Sequence, residues 1–271
     1  MSAITQAFDR AAQEGRPAFT PFLVAGDPDL DSTAHLLESL AAGGADVIEL
    51  GVPWSDPIAD GPTNQAAAQR ALAAGTTLGG IFNLVDRTRE RLGVPIVLFT
   101  YYNPIHARGV HAFAEQAANS GVDGVLCVDL PPEEAEAEYV PVLRAHGLDT
   151  IFLLAPTSTS ERIRRVAELS SGFAYYVSRT GVTGTRTDLP EELVRDVKRL
   201  KKRLPVPLAV GFGISTPEQA AAVGKVADGV VVGSALVDLV ARGGPDVPDL
   251  VEVRAREISQ ALKKLGRGWF R

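Results

Sequence analysis

DVIELGVPWSDPIADGP, residues 46–62, starts as a strand and then breaks into a loop rich in Pro, Gly and Asp. Its apolar first half is interrupted by Glu49, and Asp60 follows on the loop. A buried carboxylate is costly unless it is paired or used, and two carboxylates in different settings suit acid/base chemistry. Each also has a structural interpretation, Glu49 as the partner of a buried Arg and Asp60 as a turn residue. The stretch alone leaves both interpretations open.

This strand is one of eight short apolar runs that alternate with amphipathic segments along the chain. Strands are predicted at residues 18–24, 45–50, 96–101, 124–128, 150–154, 174–178, 208–210 and 229–232. Helices are predicted at 30–42, 78–91, 110–119, 133–146, 160–170, 190–204, 216–223 and 250–264. Such alternation predicts a parallel sheet with right-handed crossovers.

Eight units favour a closed (β/α)8 barrel, the TIM-barrel fold, as a single domain over residues 1–271. An open doubly wound sheet is the alternative. It would be expected to contain a G-x-G-x-x-G turn after an early strand, and Gly26-Asp27-Pro28 is a different turn. Extra short helices are expected at 65–72, after the second strand, and at 235–241, after the eighth.

The composition narrows the range of functions. With 271 residues, 45% hydrophobic and 22% charged, the chain resembles an ordinary globular protein with a sizeable core. A net charge of −6 disfavours nucleic-acid binding, and the basic run at 198–203 is expected to be a solvated helix end. One cysteine, Cys127, indicates a reducing compartment. With no signal peptide or membrane-spanning stretch in the sequence, we expect a soluble, cytoplasmic protein.

Metal binding is not expected, because the four histidines are scattered without metal-ligand spacing: His35, His106, His111 and His146.

Two glycine-rich turns follow the last two strands, GFGIS at 211–215 and VVGSAL at 231–236. Barrels often bind phosphate between these two loops, at the start of a short extra helix. Gly233 and Ser234 open a helical pattern, so their N–H groups and the Ser234 hydroxyl are expected to bind an anion. The alternative is that these glycines only turn the chain.

The loop after the sixth strand, SRTGVTGTRT at 178–187, is small and rich in hydroxyl groups. This composition favours a lid that closes over a substrate and donates through Thr183 and Gly184, and the alternative is a surface connection. Aromatic residues at or just past strand ends are expected to line an apolar pocket or to pack in the core: Phe22, Phe99, Tyr101, Tyr175 and Phe212.

Asp129, after the fourth strand, is expected either to hydrogen-bond the lid or to cap the next helix. Taken together, these features predict a barrel enzyme for a phosphorylated substrate with an apolar body. Glu49 and Asp60 would act on it without a metal or redox cofactor.

Five motifs together are similar to the tryptophan synthase α-subunit family: PFLVAGDPD at 21–29, residues 46–62, SRTGVTG at 178–184, GFGIS and VVGSA. The resemblance covers nearly the whole chain in order. It implies a lyase that cleaves indole-3-glycerol phosphate by a retro-aldol reaction into indole and glyceraldehyde 3-phosphate, in tryptophan biosynthesis.

The resemblance also implies roles for single residues. Glu49 would protonate C3 of the indole ring and later take a proton from the C3′ hydroxyl, and Asp60 would bind the indole N–H. Phe22, Phe99, Tyr175 and Phe212 would hold the indole and propyl chain. Thr183 belongs to the matching lid, and Gly184, Gly213, Gly233 and Ser234 would bind the phosphate.

The family works as an α2β2 complex in which indole passes to a β subunit. Pyridoxal phosphate belongs to that β chain, so no cofactor is expected here. Trp54 stands where Phe or Tyr is usual, and Asn64 where an aliphatic residue is usual. Neither is expected to touch the chemistry, and both are expected near the partner.

Two other functions fit parts of the pattern. A stand-alone lyase would release indole freely without a β subunit. A non-catalytic subunit would bind phosphate ligands and regulate a partner, although Glu49, Asp60, Thr183 and Gly184 are all present.

Overall fold

The computed structural model describes residues 1–177, 189–211 and 213–267, and in these ranges it contains one nine-stranded parallel sheet. The strands are β1 (Ala18–Val24), β2 (Ile48–Gly51), β3 (Ile96–Thr100), β4 (Gly124–Cys127), β5 (Asp149–Ile151), β6 (Leu153–Leu154), β7 (Ala174–Val177), β8 (Leu208–Gly211) and β9 (Gly229–Val232). Their spatial order is β5-β4-β3-β2-β1-β9-β8-β7-β6. The sheet therefore curls into a nearly closed barrel, and the predicted TIM-barrel fold is confirmed.

The predicted strand at 150–154 is divided into two strands. β5 pairs with β4, whereas β6 pairs with β7 on the other side of the seam. Phe152 lies between them, and its carbonyl oxygen accepts a hydrogen bond from the Tyr175 amide at 3.0 Å. The strand divides because its two halves pair with neighbours on opposite sides.

Helices alternate with the strands around the outside. In the described residues they are α1 (Ala3–Gln13), α2 (Leu30–Ala42), α3 (Pro62–Ala73), α4 (Leu78–Leu92), α5 (Tyr102–Arg108), α6 (Val110–Ser120), α7 (Pro132–Ala135), α8 (Tyr139–Ala145), α9 (Ser160–Leu169), α10 (Glu191–Lys201), α11 (Pro217–Gly224), α12 (Ser234–Ala241) and α13 (Val247–Lys263), followed by a 3-10 turn, Leu265–Arg267. None of these helices combines the length and apolar character needed to cross a membrane.

The predicted helix at 133–146 is two helices, α7 and α8. Pro141 explains the break, because proline is tolerated in the first turn of a helix but not in its interior. With α8 starting at Tyr139, Pro141 falls in its first turn.

α1 closes the N-terminal end of the barrel. Its buried face consists of Ile4, Ala7, Phe8 and Ala11, which pack against inward-facing residues of the strands. The rings of Phe8 and Phe173 are stacked, with their centroids 5.2 Å apart. This packing fills the N-terminal end of the barrel. The opposite end, where the strands finish, is left for a cavity.

Candidate active site

A cavity of about 340 Å³ opens at the carboxyl ends of the strands. This volume lies within the size range of small-molecule pockets, about 300–1,000 Å³. Every predicted site residue that the structure describes lines it: Phe22, Glu49, Asp60, Phe99, Tyr175, Gly213, Gly233 and Ser234. Residues far apart in the sequence therefore meet in one place.

The other predicted site residues are Thr183, Gly184 and Phe212. They lie outside the described residues, as does the predicted lid at 178–187.

Glu49 lies on β2 with its side chain inside the barrel and only 1% of its surface exposed. It pairs in register with Phe22 of β1 and Val97 of β3. Its Oε1 has no hydrogen-bond partner in the described part of the chain. Burial raises the pKa of Glu49 to about 8, so the carboxyl group is mostly protonated at neutral pH. This environment does not fit the structural alternative, in which a buried Arg would neutralise the carboxylate.

Asp60 lies on the loop between β2 and α3 and is half-buried. Its Oδ2 accepts a hydrogen bond from the Tyr101 hydroxyl at 2.8 Å, and the same hydroxyl accepts one from the Ala59 amide at 3.0 Å. Gln65 holds the loop from the other side, because its Nε2 donates to the Asp60 carbonyl at 2.9 Å. The loop is therefore fixed at its backbone and at its carboxylate.

Two opposing effects act on the Asp60 carboxylate. Burial raises its pKa, while the hydrogen bond from Tyr101 and the nearby amide of Asn64 lower it. Burial is the larger effect. In contrast to Glu49, Asp60 thus has donors that stabilise its ionised form.

Asn64, expected from the sequence to lie near the partner and away from the chemistry, lines the same cavity as Asp60. Tyr101 was noted in the sequence only as an aromatic at a strand end, and its role as a donor to Asp60 was missed. The sequence gives only a weak signal for this contact, because it depends on how the loop folds back over the end of β3.

Apolar side chains form the walls of the cavity. The rings of Phe22 and Phe99 meet edge to face at 5.3 Å with an interplanar angle of 72°. Tyr175, Val128 and Leu153 extend this surface, and Val231 and Ile214 complete it on the side of β9. A flat aromatic group would fit between such walls.

Two glycines make room for these rings. A Cβ on Gly51 would lie 2.8 Å from the ring of Phe22. A Cβ on Gly211 would lie 2.1 Å from the Tyr175 hydroxyl. A larger residue at Gly51 or Gly211 would displace the ring of Phe22 or Tyr175.

The far end of the cavity is built from two turns. α12 starts at Ser234 after β9, and Gly213 follows β8 with a positive φ of 67°. The first N–H groups of a helix have no carbonyl partner within it and carry partial positive charge, so this end suits an anion. Gly213 and Ser234 are both exposed, so this end of the cavity is open while the Glu49 end is closed.

Asp129 caps a helix, though not the one that follows it. Its Oδ1 accepts a hydrogen bond from the Tyr102 amide at 2.7 Å, at the start of α5. Within the described ranges, no three His, Cys, Asp or Glu residues are grouped so that they could hold a metal ion.

Comparisons with known proteins agree on one family. The family profile described as tryptophan synthase alpha chain matches residues 8–265. The tryptophan synthase alpha chain of Geotalea uraniireducens is 54% identical over 239 residues, which cover 88% of this chain and 89% of that protein.

Solved structures give the same result. Tryptophan synthase subunit alpha of Legionella pneumophila has a TM-score of 0.90 at 36% identity, covering 97% of this chain and 99% of that one. A chain of Mycobacterium tuberculosis tryptophan synthase has a TM-score of 0.88 at 35% identity, covering 97% of this chain and 98% of that one.

Proposed function

Because the chain belongs to the tryptophan synthase alpha chain family, we propose that its cavity uses Glu49 and Asp60 for the family's reaction. The chain is a carbon–carbon lyase of tryptophan biosynthesis. It splits indole-3-glycerol phosphate into indole and glyceraldehyde 3-phosphate by a retro-aldol reaction. The buried Glu49 facing the same cavity as Asp60 is the observation that carries the assignment of roles.

Glu49 supplies the proton that makes the bond cleavable. Indole is a poor carbanion leaving group, so C3 of the ring must be protonated first. A carboxyl group with a pKa of about 8 holds a proton at neutral pH and can give it to C3. The resulting carboxylate then takes the proton of the C3′ hydroxyl, the C3–C3′ bond breaks, and its electrons return to the ring. Indole and the aldehyde leave, and Glu49 has regained its proton.

Asp60 stabilises the charged intermediate. Protonation of C3 places positive charge on the ring. A carboxylate hydrogen-bonded to the indole N–H would stabilise this charge. The hydrogen bond from Tyr101 supports this role, because it favours the ionised form and holds the carboxylate in place.

The rest of the cavity orients the substrate. Phe22, Phe99 and Tyr175 would hold the indole and propyl chain. Gly213, Gly233 and Ser234 would bind the phosphate, where the α12 amides favour an anion. Thr183, Gly184 and Phe212 remain part of the proposal on sequence grounds.

A β subunit is the partner that membership of this family implies, and we propose an α2β2 assembly in the cytoplasm. The pyridoxal phosphate of that assembly would belong to the β subunit, and this chain would need no cofactor. A free, buried Cys127 is consistent with a reducing compartment. Ile58, on the same loop as Asp60, is 88% exposed and would provide an apolar contact for the partner.

Indole release from indole-3-glycerol phosphate by the parent and an Asp60→Asn variant tests the proposal. The variant should lose about tenfold or more in kcat, because an amide accepts a hydrogen bond but carries no charge. Asp31→Asn is the matched control, since Asp31 is 82% exposed and remote from the cavity, and it should keep parent activity. A fully active Asp60→Asn variant would return Asp60 to the role of a turn residue.

A further inference from the structure

Asp27 is a buried carboxylate that the reaction does not use. It belongs to the motif PFLVAGDPD at 21–29 and lies in the turn between β1 and α2, with 2% of its surface exposed. A carboxylate buried this deeply is costly unless it is paired. Its partner is Arg70 of α3, whose Nε donates to Oδ1 at 2.8 Å and whose Nη2 donates to Oδ2 at 2.7 Å. The pair therefore ties the β1–α2 turn to α3.

The turn that carries Asp27 is itself held in place. The Gly26 amide donates to Thr33 Oγ1 at 2.9 Å. Asp29 caps α2, because its Oδ1 accepts a hydrogen bond from the Ser32 amide at 2.7 Å. Both contacts join the turn to the start of α2, so Asp27 is the fixed side of the pair and α3 is the side that it positions.

α3 has little hydrophobic anchoring of its own. Its buried residues are Ala67, Ala68 and Ala71, whereas α2 buries three leucines. A buried alanine removes much less apolar surface from water than a buried leucine. Polar contacts therefore carry a large share of the attachment of α3. A two-point contact between Arg and a carboxylate suits this task, because it fixes a direction as well as a distance.

α3 in turn holds the loop that carries Asp60. Its N-cap, Gly61, follows Asp60 directly and lines the cavity with it. In its first turn, Gln65 donates through Nε2 to the carbonyl oxygens of Asp60 and Pro57, at 2.9 and 3.3 Å. Arg70 lies on the same helix, so a tilt of α3 would move the Asp60 loop with it.

We propose that Asp27 and Arg70 are positioning residues of the lyase, which fix α3 against the β1–α2 turn and so place the Asp60 carboxylate for the charged intermediate. This inference rests on the proposed function. The contacts run from Asp27 through Arg70 and α3 to Gln65 and the carbonyl of Asp60. The alternative is that the pair only stabilises the fold, and the two cases predict different kinetics.

The test is kcat for indole formation from indole-3-glycerol phosphate, with β subunit present. The variant combines Asp27→Asn with Arg70→Gln, which removes both charges so that no unpaired charge remains buried. Its kcat should fall about tenfold or more, because a displacement of about 1 Å at a reacting centre can cost about 10²-fold.

The decisive comparison repeats both changes in the Asp60→Asn background. If the pair acts through the Asp60 carboxylate, the triple variant should have a kcat within about twofold of Asp60→Asn alone, since changes that act through one group are not additive. If the pair acts on the fold in general, kcat should fall by the same factor in both backgrounds.

A second ion pair at the other end of the barrel provides a matched control. Arg16 donates through Nη1 and Nη2 to the two carboxylate oxygens of Asp46, at 2.6 and 2.9 Å, and both side chains are mostly buried. These residues precede β1 and β2, and neither is among the described residues that line the cavity. Asp46→Asn combined with Arg16→Gln should therefore keep the parent kcat.

Three results would each overturn the inference: parent kcat in the variant at Asp27 and Arg70, an equal loss in the Asp60→Asn background, or an equal loss in the control at Asp46 and Arg16. If the first variant does not fold, as judged by circular dichroism, Arg70→Lys decides by the same comparisons, because it keeps the charge but not the two-point contact. A parent protein that releases no indole would contradict the proposed function instead, so the two failures are distinguishable.

Discussion

Glu49 lies in a setting that opposes its own ionisation. It is 1% exposed, and burial is the cause that raises its pKa to about 8. A barrel interior normally takes apolar residues, so replacing this carboxyl group should make the fold more stable while it removes the chemistry. Activity and stability are therefore expected to change in opposite directions at this position.

The pH dependence of stability follows from the same pKa. In the unfolded chain Glu49 ionises near its ordinary pKa of 4.5, whereas the folded protein keeps the proton up to about 8. Between these values the unfolded state gains stability from ionisation, so the free energy of unfolding falls as pH rises. Glu49→Gln should remove this loss and be up to about 5 kcal/mol more stable than the parent at pH 8, and little different below pH 4.5.

Urea unfolding of parent and variant from pH 4.5 to 8 measures this difference. Glutamine does not titrate, so any pH dependence of the difference comes from Glu49. A difference that stays constant from pH 4.5 to 8 would mean that Glu49 has the same pKa in the folded and unfolded states, and would contradict the raised pKa.

At the residue scale the sequence predicted Glu49 and Asp60 as a pair but not their surroundings. Glu49 interrupts an apolar run, which is visible without a structure. The donor on Asp60 is not visible in this way, since Tyr101 lies between β3 and α5, far from Asp60 in the sequence. A side-chain contact between a loop and a residue that is distant in the sequence depends on the three-dimensional path of the loop.

At the scale of the elements, the end of β8 is packed closely against β7. Gly211 ends this strand, and a Cβ there would lie 2.1 Å from the hydroxyl of Tyr175 on β7. Gly211→Ala should push Tyr175 into the cavity and reduce kcat/KM by at least about tenfold, since overpacking forces side chains from their rotamers.

Gly79→Ala in α4 is the control, because no atom lies within 4 Å of the added methyl group. It should keep parent activity and gain slightly in stability. Equal activity of the two variants would show that the position of Tyr175 does not matter for the substrate.

The order of strands and helices could be predicted at the element scale because the hydrophobic pattern changes period from one to the other. The breaks within individual elements were harder to predict. Phe152 divides one strand because its two halves have different neighbours, which only the closed barrel determines. Pro141 ends the continuity of the helix predicted at 133–146, because a proline in the sequence disfavours a helix that runs through it.

For the whole molecule, the barrel explains why the site residues meet. All strands run parallel, so their carboxyl ends and following loops share one rim, while α1 fills the other end. We expect residues 1–271 to fold as a single domain, which predicts one cooperative unfolding transition in urea.

The partner should act on the Asp60 side of this rim. We predict low indole production by the isolated chain and a several-fold rise when β subunit is added, because the exposed Ile58 lies on the loop that carries Asp60. Ile58→Asp should abolish the rise. Val253→Asp should not, since Val253 is 51% exposed but lies on α13.

High activity without β subunit, unchanged on its addition, would support a stand-alone lyase. In that case the α2β2 proposal would be wrong, although the assignment of the two carboxylates would remain.

The most direct test of the account is the rate of indole formation from indole-3-glycerol phosphate by Glu49→Gln, with β subunit present. The amide has nearly the same shape but cannot give a proton to C3, so kcat should fall at least about 10²-fold, the low end of the range for general acid–base catalysis. Circular dichroism should show the parent fold. Turnover close to that of the parent would contradict the role of Glu49 as the proton donor.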